Sequence, residues 1–565
     1  LHQRILPDGW QDNIREFLDR EAAPVRRVTD SAGRQLLLDV PGITPSIKVA
    51  VWRVDVGKVP LYLLDTDIPE NTPQARAISS RLYTGDKEQR LVQEIVLGIG
   101  GRKVLSELGI DFSAVHLNEG HPSFALLERT REFIEDGLSF PDALARVRGT
   151  SVFTTHTPVA AGHDVFPAPL IDKYFSGYYP ALGIDRDTFL DLGRNPGDPE
   201  GMFNMAAFAL KFTAYHNAVS RNHGIVSRRM WHHLWPDLVP EKVPIDVITN
   251  GVHLPTWMNQ RMEGLFSKYI GPVYPHWQQE HDNPSLWEMI DEIPDKELWS
   301  LHVWLKAKLF NRIRERKRQR WASHLKEPLN LVADGLMLNP TVLTIGFARR
   351  FSSYKRADLI FHDPDRLKRI VTNRWLPVQI IFAGKAHPDD TEGKQILQRI
   401  YRYALTPEFA GRIAFVEDYG EQTAQYLVHG VDVWLNNPLP PMEACGTSGM
   451  KAALNGVLNC SIRDGWWLEG YNGKNGWAFG GEEWSPERDA MDAAELYTLL
   501  EKEIIPLYYN TSLDGIPHGW VKMMKESIRS IAPVFSSRRM VKEYVRRYYP
   551  SLLKCAETGF ETCPV

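Results

Sequence analysis

Short apolar runs alternate with longer stretches of mixed polar and apolar residues over most of this chain of 565 residues. Most of the runs are followed closely by Gly, Pro, Asn or His, which is typical of buried strands, and the stretches between them have helical spacing. The candidate strands are residues 115–118, 151–154 and 245–248 in the first half, and residues 341–345, 378–382, 413–416 and 431–435 in the second. Strands that alternate with helices predict an α/β fold with parallel sheets, in which functional groups lie just past the carboxyl ends of the strands.

The length predicts more than one domain, because a single hydrophobic core stops growing well below 565 residues. We expect an N-terminal domain over residues 1–248, a C-terminal domain over residues 249–525, and a closing pair of helices over residues 526–565. The chain starts at Leu1 with neither an initiator Met nor an apolar leader, and we therefore expect a missing N-terminal segment.

Composition and charge exclude several classes of protein. A net charge of -4 with 43% hydrophobic residues describes an ordinary globular chain and not a polyanion-binding surface. The richest basic run, residues 312–320, continues a helical pattern, which favours a solvated helix face over a nucleic-acid site. The absence of any run of about 18 apolar residues argues against a membrane span. Four cysteines without metal-ligand spacing fit a reducing cytoplasm.

A turn of small residues near the end of the chain closes on a lysine. Gly446, Thr447, Ser448 and Gly449 leave backbone N–H groups uncovered, so that these groups can face an anion. Lys451 follows in what looks like the start of a helix, where the helix dipole also favours an anion. A buried lysine amine can form an imine with an aldehyde, and a phosphate cradle beside such a lysine is what pyridoxal 5'-phosphate requires. An ordinary loop with a helix cap is the alternative.

Three cations follow the candidate strand at residues 341–345. Arg349, Arg350 and Lys355 can converge because the loop between them is short. Arg binds phosphate through two parallel hydrogen bonds and Lys binds it as a point charge, so this loop predicts a second group of phosphate-binding side chains. A basic loop on the surface is the alternative.

Two further features have competing interpretations. The segment from Gly98 to Gly101 lacks the full nucleotide-binding fingerprint and lies among helical residues, which favours helix packing. Trp466 and Trp467 could stack on a sugar or pack in the core.

The chain resembles the α-glucan phosphorylases (the glycogen, starch and maltodextrin phosphorylases) at six stretches that occur in the family's order. These stretches are residues 116–122, 153–158, 248–253, 349–356, 383–386 and 443–456. The similarity is greatest to the shorter bacterial and archaeal branch. It implies two Rossmann-like domains that face a deep cleft, the GT-B architecture of glycosyltransferases, with the C-terminal helices packing back toward the N-terminal domain. A glycine-rich loop of the relatives would precede Gln3, so the N-terminal domain is expected to be incomplete.

By this resemblance, Lys451 carries pyridoxal 5'-phosphate, and the phosphate of that cofactor takes part in proton transfer instead of its ring. The positions that match residues holding the cofactor phosphate are Arg349, Gly446, Thr447 and Ser448. Arg350 and Lys355 match residues that bind the substrate phosphate.

The resemblance also implies contacts to the glucosyl unit. His156 matches a histidine whose ring and backbone carbonyl contact the sugar. Asn250 and Glu443 match contacts to sugar hydroxyl groups, for which amide and carboxylate groups are suited. Glu119, where relatives often have Asp, and His121 would orient the site.

The implied reaction is phosphorolysis of terminal glucosyl units of an α-1,4-glucan by inorganic phosphate, which gives α-glucose 1-phosphate with retention. A cytoplasmic enzyme and a homodimer are expected, with neither nucleic acid nor a membrane as a partner. No metal is expected, since His116 and His121 lack the spacing of a zinc-binding helix. Two other functions stay open: a nucleotide-sugar-dependent glucan synthase of the same architecture, which needs no imine-forming lysine, and an inactive glucan-binding relative.

Overall fold

The computed structural model describes residues 2–14, 19–20, 22–40, 46–82, 85–198, 200–322, 328–481 and 485–558. The described residues form two compact units. Unit 1 lies within Leu1–Glu16, Ser220–Asn222 and Thr249–Lys542, and unit 2 lies within Phe17–Val219, His223–Ile248 and Glu543–Val565. The domain boundaries at residues 248 and 525 stay a prediction.

The strands of the described residues follow in chain order. They are β1 (His2–Ile5), β2 (Gln11–Ile14), β3 (Arg26–Arg27), β4 (Leu37–Val40), β5 (Ile47–Val56), β6 (Val59–Asp65), β7 (Val115–Asn118), β8 (Ser151–Thr155), β9 (Val165–Phe166), β10 (Phe203–Asn204), β11 (Tyr215–Ala218), β12 (Asp246–Val247), β13 (Leu343–Ala348), β14 (Val378–Ala383), β15 (Ile413–Val416), β16 (Val433–Asn436), β17 (Leu458–Ile462) and β18 (Gly476–Phe479).

The α-helices are numbered in the same way. They are α1 (Pro73–Arg76), α2 (Lys87–Ile95), α3 (Gly101–Glu107), α4 (Phe124–Glu135), α5 (Phe140–Gly149), α6 (Ala168–Phe175), α7 (Tyr178–Leu182), α8 (Arg186–Gly193), α9 (Met205–Lys211), α10 (Arg221–Met230), α11 (Leu254–Trp257), α12 (Gln260–Ile270), α13 (Pro284–Trp287), α14 (Asp295–Ala322), α15 (Pro328–Ala333), α16 (Pro364–Val371), α17 (Thr391–Leu405), α18 (Glu421–Gly430), α19 (Ser448–Ala453), α20 (Trp467–Gly470), α21 (Arg488–Leu499), α22 (Ile505–Tyr509), α23 (His518–Ile531), α24 (Ser537–Arg547) and α25 (Tyr549–Thr558).

Unit 1 is organised around a six-stranded sheet with the strand order β15-β14-β13-β16-β17-β18. All neighbouring strands are parallel. Every residue of β13 and β14 is buried, which explains why these strands occur in the sequence as continuous apolar runs. The strand order reverses between β13 and β16, and ligands of such sheets bind at this reversal, outside the carboxyl ends of the strands.

The hairpin of β1 and β2 also belongs to unit 1, although its residues precede all of unit 2 in the sequence. Gln3 Nε2 donates to the carbonyl of Gly384 at 2.7 Å, and Gln11 Oε1 accepts from the backbone N–H of Ala386 at 2.9 Å. Both glutamines are 1% exposed, so their amide groups need partners. These bonds hold the hairpin against the loop that follows β14.

Unit 2 contains a four-stranded parallel sheet with the order β12-β11-β8-β7. A second sheet is antiparallel and has the order β3-β5-β4, with β6 paired to β5. Helix α4 contributes Phe124 to an aromatic cluster in the core, where the centroid of its ring lies 4.7 Å from that of Phe175. Because β7 and β8 are parallel neighbours, the residues that follow them come to the same edge of the sheet.

The structure confirms the predicted α/β class with parallel sheets. Each of the seven candidate strands is present, and residues 115–118 and 413–416 have the predicted bounds. The strand predicted at 341–345 begins later and continues to Ala348, because all six of its residues pair with β14. Within the described residues, no helix combines the length and apolar character needed to cross a bilayer.

The structure also decides between the competing interpretations of residues 98–101 and of the two adjacent tryptophans. Gly98 lies in a π-helical turn, Val96–Gly100, and a Cβ atom there would be 2.8 Å from the backbone nitrogen of Ala125, which confirms close helix packing. Trp466 and Trp467 are 1% and 0% exposed, and their rings pack edge to face, so both belong to the core.

Candidate active site

The carboxyl ends of β13 and β16 bring two polar side chains together at the reversal of the unit 1 sheet. Arg349 directly follows β13, and its Nη1 donates to Oδ1 of Asn436, the last residue of β16. Asn436 Nδ2 in turn donates to Ser461 Oγ on β17 at 3.0 Å. The guanidinium of Arg349 is therefore held in a fixed orientation at the position where this sheet topology predicts a ligand.

A buried carboxylate joins two of the three predicted cations. Glu443 Oε2 accepts from Arg349 Nη2 at 2.7 Å and from Lys355 Nζ at 2.5 Å. The three residues are only 6–8% exposed. Burial alone would raise the pKa of the Glu443 carboxyl, but the charges of Arg349 and Lys355 hold it below its ordinary value. Two cations thus share one anion, so the buried cluster of Arg349, Glu443 and Lys355 has an excess of positive charge.

Lys355 is the titrating member of this cluster. Burial lowers the pKa of its amine to about 7, and the charge of Arg349 acts in the same direction, against the opposing effect of Glu443. The ammonium form is therefore partly lost near neutral pH in the absence of an anionic ligand. A bound dianion would favour the ammonium form again, because an opposite charge nearby raises the pKa of an amine.

We expect sulfate binding to be coupled to proton uptake by Lys355. Sulfate does not itself titrate near neutral pH, so the uptake reports the protein. It should exceed about half a proton per sulfate at pH 7.5 and fall almost to zero at about pH 5.5, where Lys355 is already charged. Calorimetric titrations in buffers of different ionisation enthalpy measure this quantity. The same uptake in Lys355→Met would show that another group titrates.

The third predicted cation lies at the surface beside the buried cluster. Arg350 is exposed and has no ion-pair partner among the described residues. Successive side chains of an extended segment point to opposite sides, so that Arg349 turns inward and Arg350 turns outward. Arg349 and Lys355 are thus buried together, and Arg350 is exposed but close enough that its charge also lowers the pKa of the Lys355 amine.

The lysine of the small-residue turn lies in a short helix against an indole ring. Lys451 is the fourth residue of α19, and its Nζ is 3.7 Å from the centroid of the Trp257 ring. Burial lowers the pKa of the Lys451 amine. Asn455 Nδ2 donates to the carbonyls of both Lys451 and Trp257 at 2.9 Å, which ties the two segments together. Lys451 makes no ion pair within the part of the chain that the structure describes.

The turn before Lys451 packs against the cation cluster. Gly446 has φ +80°, and a Cβ atom there would lie 3.3 Å from the side chain of Glu443 and 3.5 Å from Arg349 Nη2. A larger residue would therefore be both strained and crowded. Ser448 Oγ accepts from Trp434 Nε1 at 3.2 Å, while the first N–H groups of α19, which follows Thr447, have no partner within the helix. The predicted turn and the predicted basic loop are thus neighbours.

Asn250 lies at the start of the segment that leads to Trp257. Its carbonyl accepts from Arg539 Nη2 at 3.2 Å, and its side chain is half-buried. The next residue must be small, because a Cβ atom on Gly251 would be 2.2 Å from the carbonyl oxygen of Ser536.

In unit 2, the ends of β7 and β8 bring Glu119 and His156 together. Glu119 Oε1 accepts from the backbone N–H of His156 and from Thr157 Oγ1, the latter at 2.9 Å. Glu119 holds this position with φ +64°, a strained value for a residue with a side chain. Burial lowers the pKa of the His156 imidazole, and the charge of Glu119 opposes this effect. The carboxylate therefore fixes the backbone that carries His156.

His121 has three charged neighbours in unit 2. Its Nδ1 lies 2.9 Å from Asp164 Oδ2 and 3.2 Å from Glu94 Oε1, and Arg90 Nη2 donates to the same Asp164 oxygen at 2.9 Å. Glu94, His121 and Asp164 are close enough to share a metal ion. The guanidinium of Arg90, however, already lies among them as a fixed cation and offsets the carboxylate charges. His116 lies elsewhere, with Nε2 bonded to Thr154 Oγ1 at 2.7 Å.

The family of the protein follows from comparison with known proteins. Residues 91–480 match the carbohydrate phosphorylase family. The chain belongs to this family. The resemblance that the six motifs indicated is therefore confirmed.

The relatives of this chain include glycogen and maltodextrin phosphorylases, of which three are described below. This chain is 50% identical over 554 residues to a glycogen phosphorylase of Aquifex aeolicus, and the alignment covers 98% of this chain and 79% of the relative. It is 46% identical over 554 residues to a maltodextrin phosphorylase of Thermococcus litoralis, with 98% of this chain and 64% of the relative covered. A glycogen phosphorylase of Mycobacterium tuberculosis is 40% identical over 567 residues, with 97% and 64% covered. The chain thus spans less than two thirds of the last two relatives.

Several residues that contact the candidate site residues were not predicted from the sequence. Asn436 could have been found, because it directly follows the apolar run at residues 431–435. Asp464, which accepts from the backbone N–H of Glu443 at 2.9 Å, follows β17 in the same way. Trp257 and Asp164 carry no such signal, since the segments that bring them to Lys451 and to His121, respectively, do so only after folding.

Proposed function

We propose that this protein catalyses the phosphorolysis of terminal glucosyl units of α-1,4-glucans by inorganic phosphate, with release of α-glucose 1-phosphate. The observation that carries the proposal is the buried Arg349–Glu443–Lys355 cluster beside the turn that ends at Lys451. An excess of buried positive charge suits two phosphate groups held close together. The names of the relatives, glycogen and maltodextrin phosphorylases, support the substrate class.

The residues around Lys451 fit pyridoxal 5'-phosphate. The amine is half-buried with a lowered pKa, which favours its reaction with an aldehyde, and no carboxylate among the described residues pairs with it. Gly446, Thr447 and Ser448 would face the cofactor phosphate, with Arg349 as its cation. When bound, the cofactor supplies a second phosphate group that can hold or release a proton near neutral pH.

The substrate phosphate would bind to Lys355 and Arg350. Lys355 contributes a positive charge that is complete only when the anion is present, and Arg350 contributes an exposed guanidinium close to Lys355. The phosphate gives its proton to the glycosidic oxygen, the bond from this oxygen to the anomeric carbon breaks, and a phosphate oxygen forms the new bond on the same face. The positive charges stabilise the phosphate as it loses its proton.

Several polar groups would be suited to contacts with the glucosyl unit. Asn250 and Glu443 of unit 1 offer groups that accept or donate hydrogen bonds to sugar hydroxyls. In unit 2, Glu119 holds the backbone of His156, whose carbonyl and ring would contact the sugar, and His121 would be oriented by its charged neighbours.

Release of glucose 1-phosphate from maltodextrin and inorganic phosphate tests the proposed function directly. In Arg350→Ala we expect the KM for phosphate to rise about 10- to 100-fold, because a charge-assisted hydrogen bond is lost, and the KM for maltodextrin to change less than about threefold. Steady-state kinetics with each substrate varied in turn measures both values.

Arg374→Ala is the matched control, since Arg374 is another exposed arginine of unit 1. It should leave both constants unchanged. An equal rise of the two KM values in Arg350→Ala would contradict the role assigned to Arg350, and the absence of glucose 1-phosphate with the unaltered protein would refute the reaction.

A further inference from the structure

A cavity in unit 1 carries positive charge that no carboxylate in its lining neutralises. Its volume is about 510 Å³, and it lies between residues 255–261, helix α14 and helix α18. The residues that line it include Arg261 and Lys308 but neither Asp nor Glu. Neither of these cations has an ion-pair partner among the described residues. A cavity with two cations and no carboxylate favours an anionic ligand.

An indole ring holds the two cations at the cavity. Arg261 Cζ lies 4.0 Å and Lys308 Nζ lies 5.0 Å from the centroid of the Trp304 ring. Trp304 is half-buried, whereas the two cationic side chains are exposed. Cation–π contacts position the charges but do not neutralise them, so both cations stay available to an anion.

Two glutamines of helix α18 add hydrogen-bonding groups of both kinds. Gln422 Oε1 accepts from Arg312 at 2.7 Å, and Gln425 Nε2 donates to the carbonyl of Thr256 at 3.0 Å. Among the described residues, Gln422 Nε2 and Gln425 Oε1 have no partner. One free donor and one free acceptor on the same helix suit the hydroxyl groups of a sugar.

We propose that this cavity binds a sugar phosphate, with its phosphate on Arg261 and Lys308 and its hydroxyl groups on Gln422 and Gln425. A neutral sugar would leave the cations without an anion, and inorganic phosphate would leave the amides unused. The product of the proposed reaction, α-glucose 1-phosphate, is itself a sugar phosphate. A role of the cavity in sensing this product therefore rests on the proposed function.

The cavity is connected to Lys451 through one segment of backbone. Gln425 bonds to the carbonyl of Thr256, and His429 Nε2 bonds to the carbonyl of Trp257 at 2.9 Å. The ring of Trp257 contacts Lys451 Nζ. A ligand that forms a hydrogen bond with Gln425 therefore acts on the segment that positions the indole of Trp257. Binding of such a ligand to the cavity should alter the absorbance of a cofactor held by Lys451.

Calorimetric titration with glucose 1-phosphate tests the site. The cofactor-loaded protein carries Arg350→Ala to weaken binding at the other phosphate site of unit 1. One binding event should remain, and adding Arg261→Gln with Lys308→Gln should raise its Kd about 10- to 100-fold, since two charge-assisted contacts are lost. Lys296→Gln, an exposed lysine on the same helix α14, should leave the Kd unchanged.

Three outcomes would overturn the proposal. They are the same Kd in the Arg261/Lys308 double variant, equal affinity for maltose, and equal affinity for inorganic phosphate. Trp304→Ala serves as a second variant and should weaken binding by releasing both cations. Because the titration measures binding and not turnover, a protein that released no glucose 1-phosphate from maltodextrin would refute the proposed function without affecting this result.

Discussion

Replacing Lys451 with alanine is expected to abolish the visible absorbance of bound pyridoxal 5'-phosphate and to reduce glucose 1-phosphate release to the background of the assay. Lys451 presents a half-buried amine with a lowered pKa against the ring of Trp257, whereas the amine of Lys355 is paired with Glu443. Loss of the amine removes the covalent anchor, and with it the second phosphate group. Absorbance spectra after reconstitution and gel filtration, together with the phosphorolysis assay, measure both effects.

Two variants make this experiment specific. Lys451→Arg keeps the positive charge but cannot form an imine, so it should lose the absorbance band as alanine does. Lys474→Ala removes an exposed lysine of unit 1 and should keep both the band and the activity. A band that persists in Lys451→Ala would place the cofactor on another residue, and no band in the unaltered protein would favour a glucan synthase that uses a nucleotide sugar.

Replacing Glu443 with glutamine is expected to destabilise unit 1 by about 3 kcal/mol, because removal of one partner from a buried ion pair leaves uncompensated charge. Here the remaining charges are two, Arg349 and Lys355, at 2.7 and 2.5 Å from the same oxygen. Added phosphate should recover more of the lost stability than it adds to the unaltered protein, since the variant has no carboxylate to repel the anion. Urea denaturation with and without phosphate measures the free energy of unfolding.

Glu501→Gln is the control for this effect. Glu501 pairs with Arg366 at 2.8 Å in the same unit, but both side chains are partly exposed, so its loss should cost less than about 1 kcal/mol. If the two variants lost equal stability, or if phosphate stabilised Glu443→Gln no more than the unaltered protein, Glu443 would not be the anion that balances this cluster.

Much of the fold could be predicted because it depends on local patterns. The strands of the two parallel sheets are buried on both faces, and this requires continuous apolar runs that are visible in the sequence. The predicted functional residues were also found through these strands, since the groups that follow the carboxyl ends of parallel strands meet at one edge. Glu119 and His156 come together in this way after β7 and β8.

The charged contacts could not be predicted from such local patterns. The sequence indicated three converging cations, and the structure divides them into a buried pair and the exposed Arg350. Which side chain turns inward depends on the direction of the chain after β13. Glu443 was expected to contact a sugar, which stays a prediction, and the structure shows that it pairs with both Arg349 and Lys355.

The sequence by itself determined the family and the α/β class and predicted the position of the cofactor lysine, because strand patterns and ordered motifs are properties of neighbouring residues. Only the tertiary structure decided which charges are buried, which carboxylate balances them, and that Trp257 lies against Lys451. It also placed Arg261 and Lys308 beside Trp304 at a cavity without carboxylates. These features depend on distances between residues far apart in the chain, and burial and pKa follow from such distances, not from residue type.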